Sequence, residues 1–232
     1  MIMKIFSLEN DIIFKEEYIN VLQIQDKKLF TNVINSLNDN INNIEDTKER
    51  IIILDNDIEI KIEKEVLMII DVFNIDFNQK KIQSALYNKI EKIYKQEFER
   101  MSEFQTIFQK LQLNVLDVFN EFPFEFNYKE SIGIQEHLKL LGLKISNNKG
   151  KIIDTVFSLI DVVEYLSVAK LLVFVNLKLY LSDDELNEIH KYAMYKKVNI
   201  LLIETGEEKE PLENEKILYI DSDYDEIVLY NK

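Results

Sequence analysis

The densest run of oxygen-bearing side chains outside regular structure is Glu121, Glu125, Asn127, Glu130 and Glu136. Hard cations such as calcium accept several carboxylate and carbonyl oxygens at irregular spacing. The segment therefore reads either as a cation site or as a solvated acidic linker. A second acidic group, Asp221, Asp223, Asp225 and Glu226, lacks the central glycine and distant glutamate of an EF-hand loop, so it reads as solvated. Only two histidines occur, His137 and His190, and neither stands beside a GxSxG nucleophile elbow. Both read as surface or boundary residues of helices. With no cysteine in the chain, disulfides, thiolate zinc sites, iron–sulfur clusters and cysteine nucleophiles are excluded. Two histidines also exclude a multi-histidine metal site.

Phosphate chemistry needs bare backbone close to the phosphates, and the chain does not provide it. Neither GxxxxGK[ST] nor GxGxxG is present, and the strand ending near Gln25 runs into Gln25-Asp-Lys-Lys28 without a glycine. The formal net charge of −14 argues against nucleic acid, because phosphate binding relies on Lys and Arg displacing counterions. That charge is uneven. Glu204 to Lys232 carries 10 acids against 3 lysines, half of the excess, whereas Asp76 to Val118 is close to neutral. An acidic tail of this kind masks a neutral or basic surface elsewhere. The lysines are dispersed, so DNA binding would require lysines gathered from several subunits around a channel.

These residues must be positioned by an α/β framework. Met3–Leu8 and Tyr18–Gln25 alternate apolar and polar residues as strands do. Lys27 to Leu37 has a helical stripe of Leu29, Phe30, Val33, Ile34 and Leu37. Ile51–Leu54 suggests a buried strand, and Ile58–Ile62 another after a turn at Asp55–Asp57. Phe77 to Phe119 contains no Gly or Pro; Met101, Phe104, Phe108, Leu111, Val115 and Val118 form a heptad seam there. This predicts a long amphipathic helix against a partner helix. Pro123 breaks it, Ile134 to Leu141 is helical again with Gly142 as its C-cap, Ser146 to Gly150 is a turn, and Ile152 to Leu166 is amphipathic. Leu171–Val175 and Val198–Ile203 are continuous apolar runs separated by a helix opened by the capping box Ser182–Glu185, a βαβ unit with parallel strands. Ile217–Ile220 and Ile227–Tyr230 suggest a closing pair of strands. The expected fold class is α/β: a head from residues 1–75 and 170–232, and a mainly helical leg inserted at 76–169. The first residues do not resemble a signal peptide, and no stretch approaches the ~20 apolar residues of a membrane span, so a cytoplasmic protein is expected.

Five blocks in order resemble the Csn-two family, the small CRISPR-associated spacer-acquisition protein of type II-A systems. The most specific is Tyr165-Leu-Ser-Val-Ala-Lys-Leu-Leu-Val-Phe-Val-Asn176 followed by Leu181-Ser-Asp-Asp-Glu-Leu186. The others are Ile70-Asp-Val-Phe-Asn-Ile-Asp-Phe-Asn78, Leu138-Lys-Leu-Leu-Gly-Leu-Lys-Ile145, Val21-Leu-Gln-Ile-Gln-Asp26 and Leu218-Tyr-Ile-Asp-Ser-Asp-Tyr224. Three departures stand out: Tyr18 lies near a usual glycine, Asn74 replaces another, and the lysine run before the buried strand is reduced to Lys170.

The resemblance implies a RecA-like head that lacks the phosphate loop (a degenerate P-loop-type domain), with a partly parallel sheet and a helical leg. It implies a non-enzymatic protein whose homotetrameric ring binds ends of double-stranded DNA without sequence preference during spacer acquisition, beside the CRISPR integrase proteins and the effector nuclease, with no membrane. Calcium is the implied cofactor, carried onto Glu121, Glu125, Asn127 and Glu130. Lys27, Lys28, Lys139 and Lys144 are the implied DNA contacts. Two other classes of function are kept beside this one: an interaction scaffold using the helical leg without DNA, and a metal-dependent nuclease.

Overall fold

In a computed structural model the described residues are 1–44, 47–119, 121–146 and 150–231. The chain divides into two units, Met1–Asp76 with Asn147–Lys232, and Phe77–Ser146.

The first unit holds two sheets. Strands β1 (Ile2–Ile5), β2 (Ile12–Ile13), β4 (Ile51–Asp55) and β5 (Ile58–Glu59) form a small antiparallel sheet in the order β2-β1-β4-β5. The β4–β5 hairpin turns on Asn56 and Asp57, both at positive φ, which suits the twist of a two-residue hairpin loop. The large sheet has the order β10-β9-β3-β8-β7-β6, built from β3 (Ile19–Ile24), β6 (Val66–Ile69), β7 (Leu171–Val175), β8 (Asn199–Thr205), β9 (Glu215–Ile220) and β10 (Glu226–Asn231). Five of these strands run parallel, and only β10 is antiparallel to its neighbour. The apolar runs have the physical cause expected of strands covered on both faces. One face, with Leu22, Val173, Leu201 and Leu218, packs with Leu29, Val33 and Leu37 of helix α1 (Lys27–Ile41) and with the small sheet. On the other side helix α7 (Asp183–Tyr195) packs against β8 and against helix α6 (Ile152–Leu166).

Two expectations change here. Helix α6 forms where amphipathic spacing placed it, but it belongs to the first unit and not to the leg. Its Asp161 accepts the Tyr192 hydroxyl at 2.7 Å and pairs with Lys196 at 2.7 Å, and Phe157 meets the Tyr192 ring edge-on at 4.9 Å. Ile58–Ile62 is not one strand: it ends after Glu59, Ile62 opens the one-turn helix α2 (Ile62–Glu65), and the strand that joins the large sheet is β6.

The second unit is helical: α3 (Lys80–Gln96), α4 (Phe98–Phe119) and α5 (Ile134–Leu140). The long Gly- and Pro-free stretch is two helices, not one, separated at Glu97. Its small core gathers Tyr87, Ile134 and Leu138, with Leu86, Tyr94, Met101 and Phe104 partly buried around them. Gly142 (φ +62°) ends α5 as expected, and Leu143 N–H bonds the Leu138 carbonyl at 3.3 Å. Beyond Phe104 the seam of α4 is uncovered, so Leu111, Val115 and Val118 are exposed. The turn expected at Ser146–Gly150 lies largely outside the described residues. Among the described residues no helix is long and apolar enough to cross a membrane.

Candidate functional site

The start of α1 is where a phosphate loop would sit. Asp26 occupies it: its carboxylate accepts the Leu29 amide at 2.7 Å and caps the helix. Gln25 accepts the Tyr219 hydroxyl at 2.7 Å. Asp26 also accepts the Tyr224 hydroxyl at 3.4 Å, and the Asp26 charge raises the Tyr224 pKa. A helix start ordinarily attracts anions. Here a carboxylate already satisfies it, and a phosphate would meet like charge.

The expected lysines are on the surface. Lys27 and Lys28 are exposed in the first turn of α1, and neither has an ion pair among the described residues. Lys139 and Lys144 are exposed on either side of the Gly142 turn in the second unit, again without ion pairs among the described residues. Other cations are tied to carboxylates. Lys170 pairs with Asp55 at 2.6 Å, which holds Asp55 below and Lys170 above their ordinary ranges. Lys191 pairs with Glu213, and Lys197 with Glu16.

The expected cation donors follow α4. The chain past Pro123 curls so that its aromatics gather: Phe119 stacks on Phe126 at 4.4 Å, and Phe122 and Phe124 pack on the same ring at 5.5 and 5.2 Å. With Tyr128 they line an open depression of about 580 Å³. Glu121, Glu125, Asn127 and Glu130 are all exposed, and Glu125 lines the edge of that depression. Among the described residues no three acids or histidines come together as a metal-binding group. Glu136 is engaged elsewhere. It bonds Lys129 and accepts the Gly133 amide at 2.9 Å, and these contacts lower its pKa.

A buried polar cluster in the first unit has no counterpart among the sequence expectations. Lys178 reaches both carboxylate oxygens of Glu215 at 2.8 and 2.9 Å, and Glu215 also accepts the Leu212 amide. His190 is not a surface or boundary residue, as expected from its helix position; it is 1% exposed, with Nε2 3.6 Å from Glu215. Neither ring nitrogen has a hydrogen-bond partner among the described residues, and burial pushes its pKa down to about 4 despite the Glu215 charge. Glu204, at the end of β8, accepts the Lys178 amide at 3.1 Å, and burial pushes its pKa up to about 7. Two acids counted with the acidic tail are therefore core residues. His137 does lie at a boundary, edge-on to Phe104 at 5.3 Å. The one available signal for the cluster is that Glu215 opens an apolar strand.

A family model for the CRISPR-associated protein (Cas_Csn2) matches residues 43–224, more than three quarters of the chain. The chain belongs to the Csn2 family. The Streptococcus agalactiae relative, "CRISPR-associated protein Csn2", is 27% identical over 146 residues, 60% of this chain. The Enterococcus faecalis relative of the same name is 28% identical over 143 residues, again 60% of this chain. The matches span 63% and 64% of those two proteins, less than two thirds of either. The crystal structure of Stu0660 of Streptococcus thermophilus has a similar fold, with a TM-score of 0.63 and 13% identity, covering 100% of this chain and 77% of the other. Four of the five resembling blocks lie within the matched residues, and Val21–Asp26 lies before them.

The geometry gives several Csn2-like residues a reason. Asn176 sits at φ 56°; its amide bonds the Ile203 carbonyl and its side chain accepts the Thr205 amide at 3.1 Å, tying β7 to the end of β8. Asn78 brackets Ile145, accepting its amide at 2.8 Å and donating to its carbonyl at 3.0 Å, which joins two of the blocks inside the second unit. Asn74, where the Csn2 pattern has glycine, does not adopt positive φ and donates to Asp71 instead.

Proposed function

We propose that this Csn2 protein is a non-enzymatic, cytoplasmic adaptation protein: a tetrameric ring that binds double-stranded DNA ends without sequence preference while new spacers are acquired. The observation that carries the proposal is the uncovered apolar side of α4, where Ile107 and Leu111 are each more than 60% exposed and Val115 and Val118 about half exposed. An apolar helix of this length in water calls for another chain. Assembly is also the physical route by which so acidic a protein concentrates lysines, since each of Lys27, Lys28, Lys139 and Lys144 is repeated four times around a ring.

Calcium fits this reading as a ligand shared between chains. Glu121, Glu125, Asn127 and Glu130 present exposed oxygens beside the aromatic depression without converging in one chain, so donors from a second copy would complete the shell. CRISPR integrase proteins and the effector nuclease are the proposed protein partners. The lack of a phosphate loop and the carboxylate at the α1 start support the absence of nucleotide hydrolysis from this reading.

The test is molar mass by light scattering, in calcium and then in chelator, followed by binding to linear and to closed-circular duplex. A mass near four chains that loosens with chelator is expected, with preference for linear duplex and an affinity that falls with salt by about 0.9 log units per log unit for each phosphate contact. A stable monomer that ignores linear duplex at low salt overturns the ring. A second reading, a scaffold that uses α4 to hold proteins and ignores DNA, draws on the same exposed helix together with the net charge of −14. It predicts assembly without duplex binding. Degradation of the DNA with magnesium or manganese would overturn both readings in favour of a nuclease.

A further inference from the structure

A second exposed apolar surface lies in the first unit, at the carboxyl ends of the neighbouring strands β6 and β7. Phe73 follows β6 and Tyr180 follows β7; they meet edge-on at 4.8 Å, yet Phe73 is 63% and Tyr180 46% exposed. Ile70 and Leu179 extend the two segments and are also exposed. This is not a loose loop with stray apolar residues. Val72, Ile75 and Leu177, on the same two segments, are buried and anchor them. Asp71 accepts the Phe73 amide at 2.9 Å and the Asn74 side chain at 2.6 Å, which fixes the turn that presents the Phe73 ring. A surface held in place in this way has little ordering cost left for a partner to meet.

Acidic residues stand beside the pair in the chain. Asp71 lies two residues from Phe73, and Asp183 and Asp184 follow Tyr180 in the first turn of α7; all three are exposed. The cation within these segments, Lys178, is withdrawn: its side chain is 8% exposed and closed onto Glu215. Lys151, which is also exposed, acts on Glu185 in the same first turn. Duplex DNA and anionic lipid are repelled by such a rim, and a second copy meeting it face to face would bring its own three aspartates against these.

We infer that Phe73 and Tyr180, rimmed by Asp71, Asp183 and Asp184, form a docking surface for a cationic amphipathic segment of another protein. Apolar side chains of that segment would cover the two rings, and Lys or Arg on its flanks would face the aspartates. The inference does not rest on the ring or on DNA binding.

The experiment uses the full chain and a fluorescein-labelled peptide of about 14 residues in which leucine and phenylalanine lie on one helical face and lysine on the other. A peptide of the same composition with the face scrambled is the control. Wild-type protein should bind the amphipathic peptide more tightly than the scrambled one. The double substitution F73S/Y180S, which leaves the charge unchanged, should weaken that binding about tenfold or more, as loss of aromatic anchors does. D183N/D184N should weaken it severalfold and reduce its salt dependence. Both pairs are surface changes, so melts of F73S/Y180S should match wild type, and those of D183N/D184N should fall only slightly through loss of acidic charge at the α7 start. Equal affinity of wild type and F73S/Y180S would overturn the inference and assign peptide binding to the overall negative charge. A fall in molar mass of F73S/Y180S would overturn it too, since the surface would then belong to a second copy.

Discussion

The two units of this chain invert the usual arrangement of charge and oil. The first encloses a six-stranded sheet between helices and a second sheet, and inside it lie Lys178, Glu215, Glu204 and His190. The second has a core centred on Tyr87, Ile134 and Leu138, while Ile107, Leu111, Val115 and Val118 stand in solvent. Burial of apolar surface is the main force that holds a domain together. The first unit has a surplus large enough to enclose charged groups. The second spends its apolar residues along the outside of α4, where they stabilise nothing until another chain covers them. A core is thus completed within the chain in one unit, while in the other the apolar side of α4 remains in solvent.

The sharpest way to break this comparison is to remove a buried charge from the first unit. K178M leaves Glu215 buried without its cation and should cost about 3–5 kcal/mol in denaturant unfolding. The double variant K178M/E215L should recover most of that loss, because it removes both charges together. Equal melts for K178M and wild type would mean that the cluster is solvated.

Smaller, and opposite in sign for two residues, are the effects of pH. His190 has a folded pKa of about 4 against 6.5 for the free group, so its contribution is complete above pH 6.5 and is lost as the pH falls towards 4. Glu204 has a folded pKa of about 7 against 4.5, so its contribution is complete below pH 4.5 and is lost as the pH rises through 7. Between pH 4.5 and 6.5 the two trends oppose each other. E204Q should therefore gain stability from pH 4.5 to 6.5, and H190M should lose it, each by up to about 3 kcal/mol. Parallel melting curves for the two variants across that range would contradict the burial of one of them.

In the second unit the expectation is the reverse. L111S/V115S replaces exposed apolar side chains, so unfolding of the isolated chain should shift by no more than about 0.5 kcal/mol. Its mass in light scattering should nevertheless drop. A large loss of fold stability instead would mean that α4 is covered within its own chain. The smallest effect is expected for E91Q, which removes the surface Glu91–Lys95 pair at 2.8 Å and should leave the unfolding midpoint within the error of wild type.

The sequence showed the first unit more fully than the second, for physical reasons. Leu171–Val175 and Val198–Ile203 announce strands because a strand covered on both faces must be apolar throughout. Ser182 with Glu185 announces the start of α7, and Gly142 the end of α5, through backbone groups that each residue satisfies locally. The break at Glu97 left no such mark, since no Gly or Pro stands there to stop a helix. Strand β6 is short and follows a charged turn, so its pairing with β7 had no periodic signal. Amphipathic spacing reveals α6 but not the surface it covers, and so does not distinguish the leg from the first unit. Of the candidate site, the lysines and glutamates were legible as exposed residues. The convergence of Lys178, His190 and Glu215 was not, because it joins positions separated by a helix, a strand and a loop.

Strand β3 lies between β8 and β9, and both reach it from the far end of the chain. Synthesis takes chain from Ile19 to the first residue of β8, Asn199, about 180 residues later. At roughly 5–20 residues per second, the central strand waits on the order of ten to forty seconds for its first neighbour. Throughout that interval Ile19–Ile24 has two open edges and apolar side chains. A nascent chain of this protein is accordingly a client for whatever shields strands at the ribosome, and its yield depends on the speed of translation as much as on the stability of the finished fold.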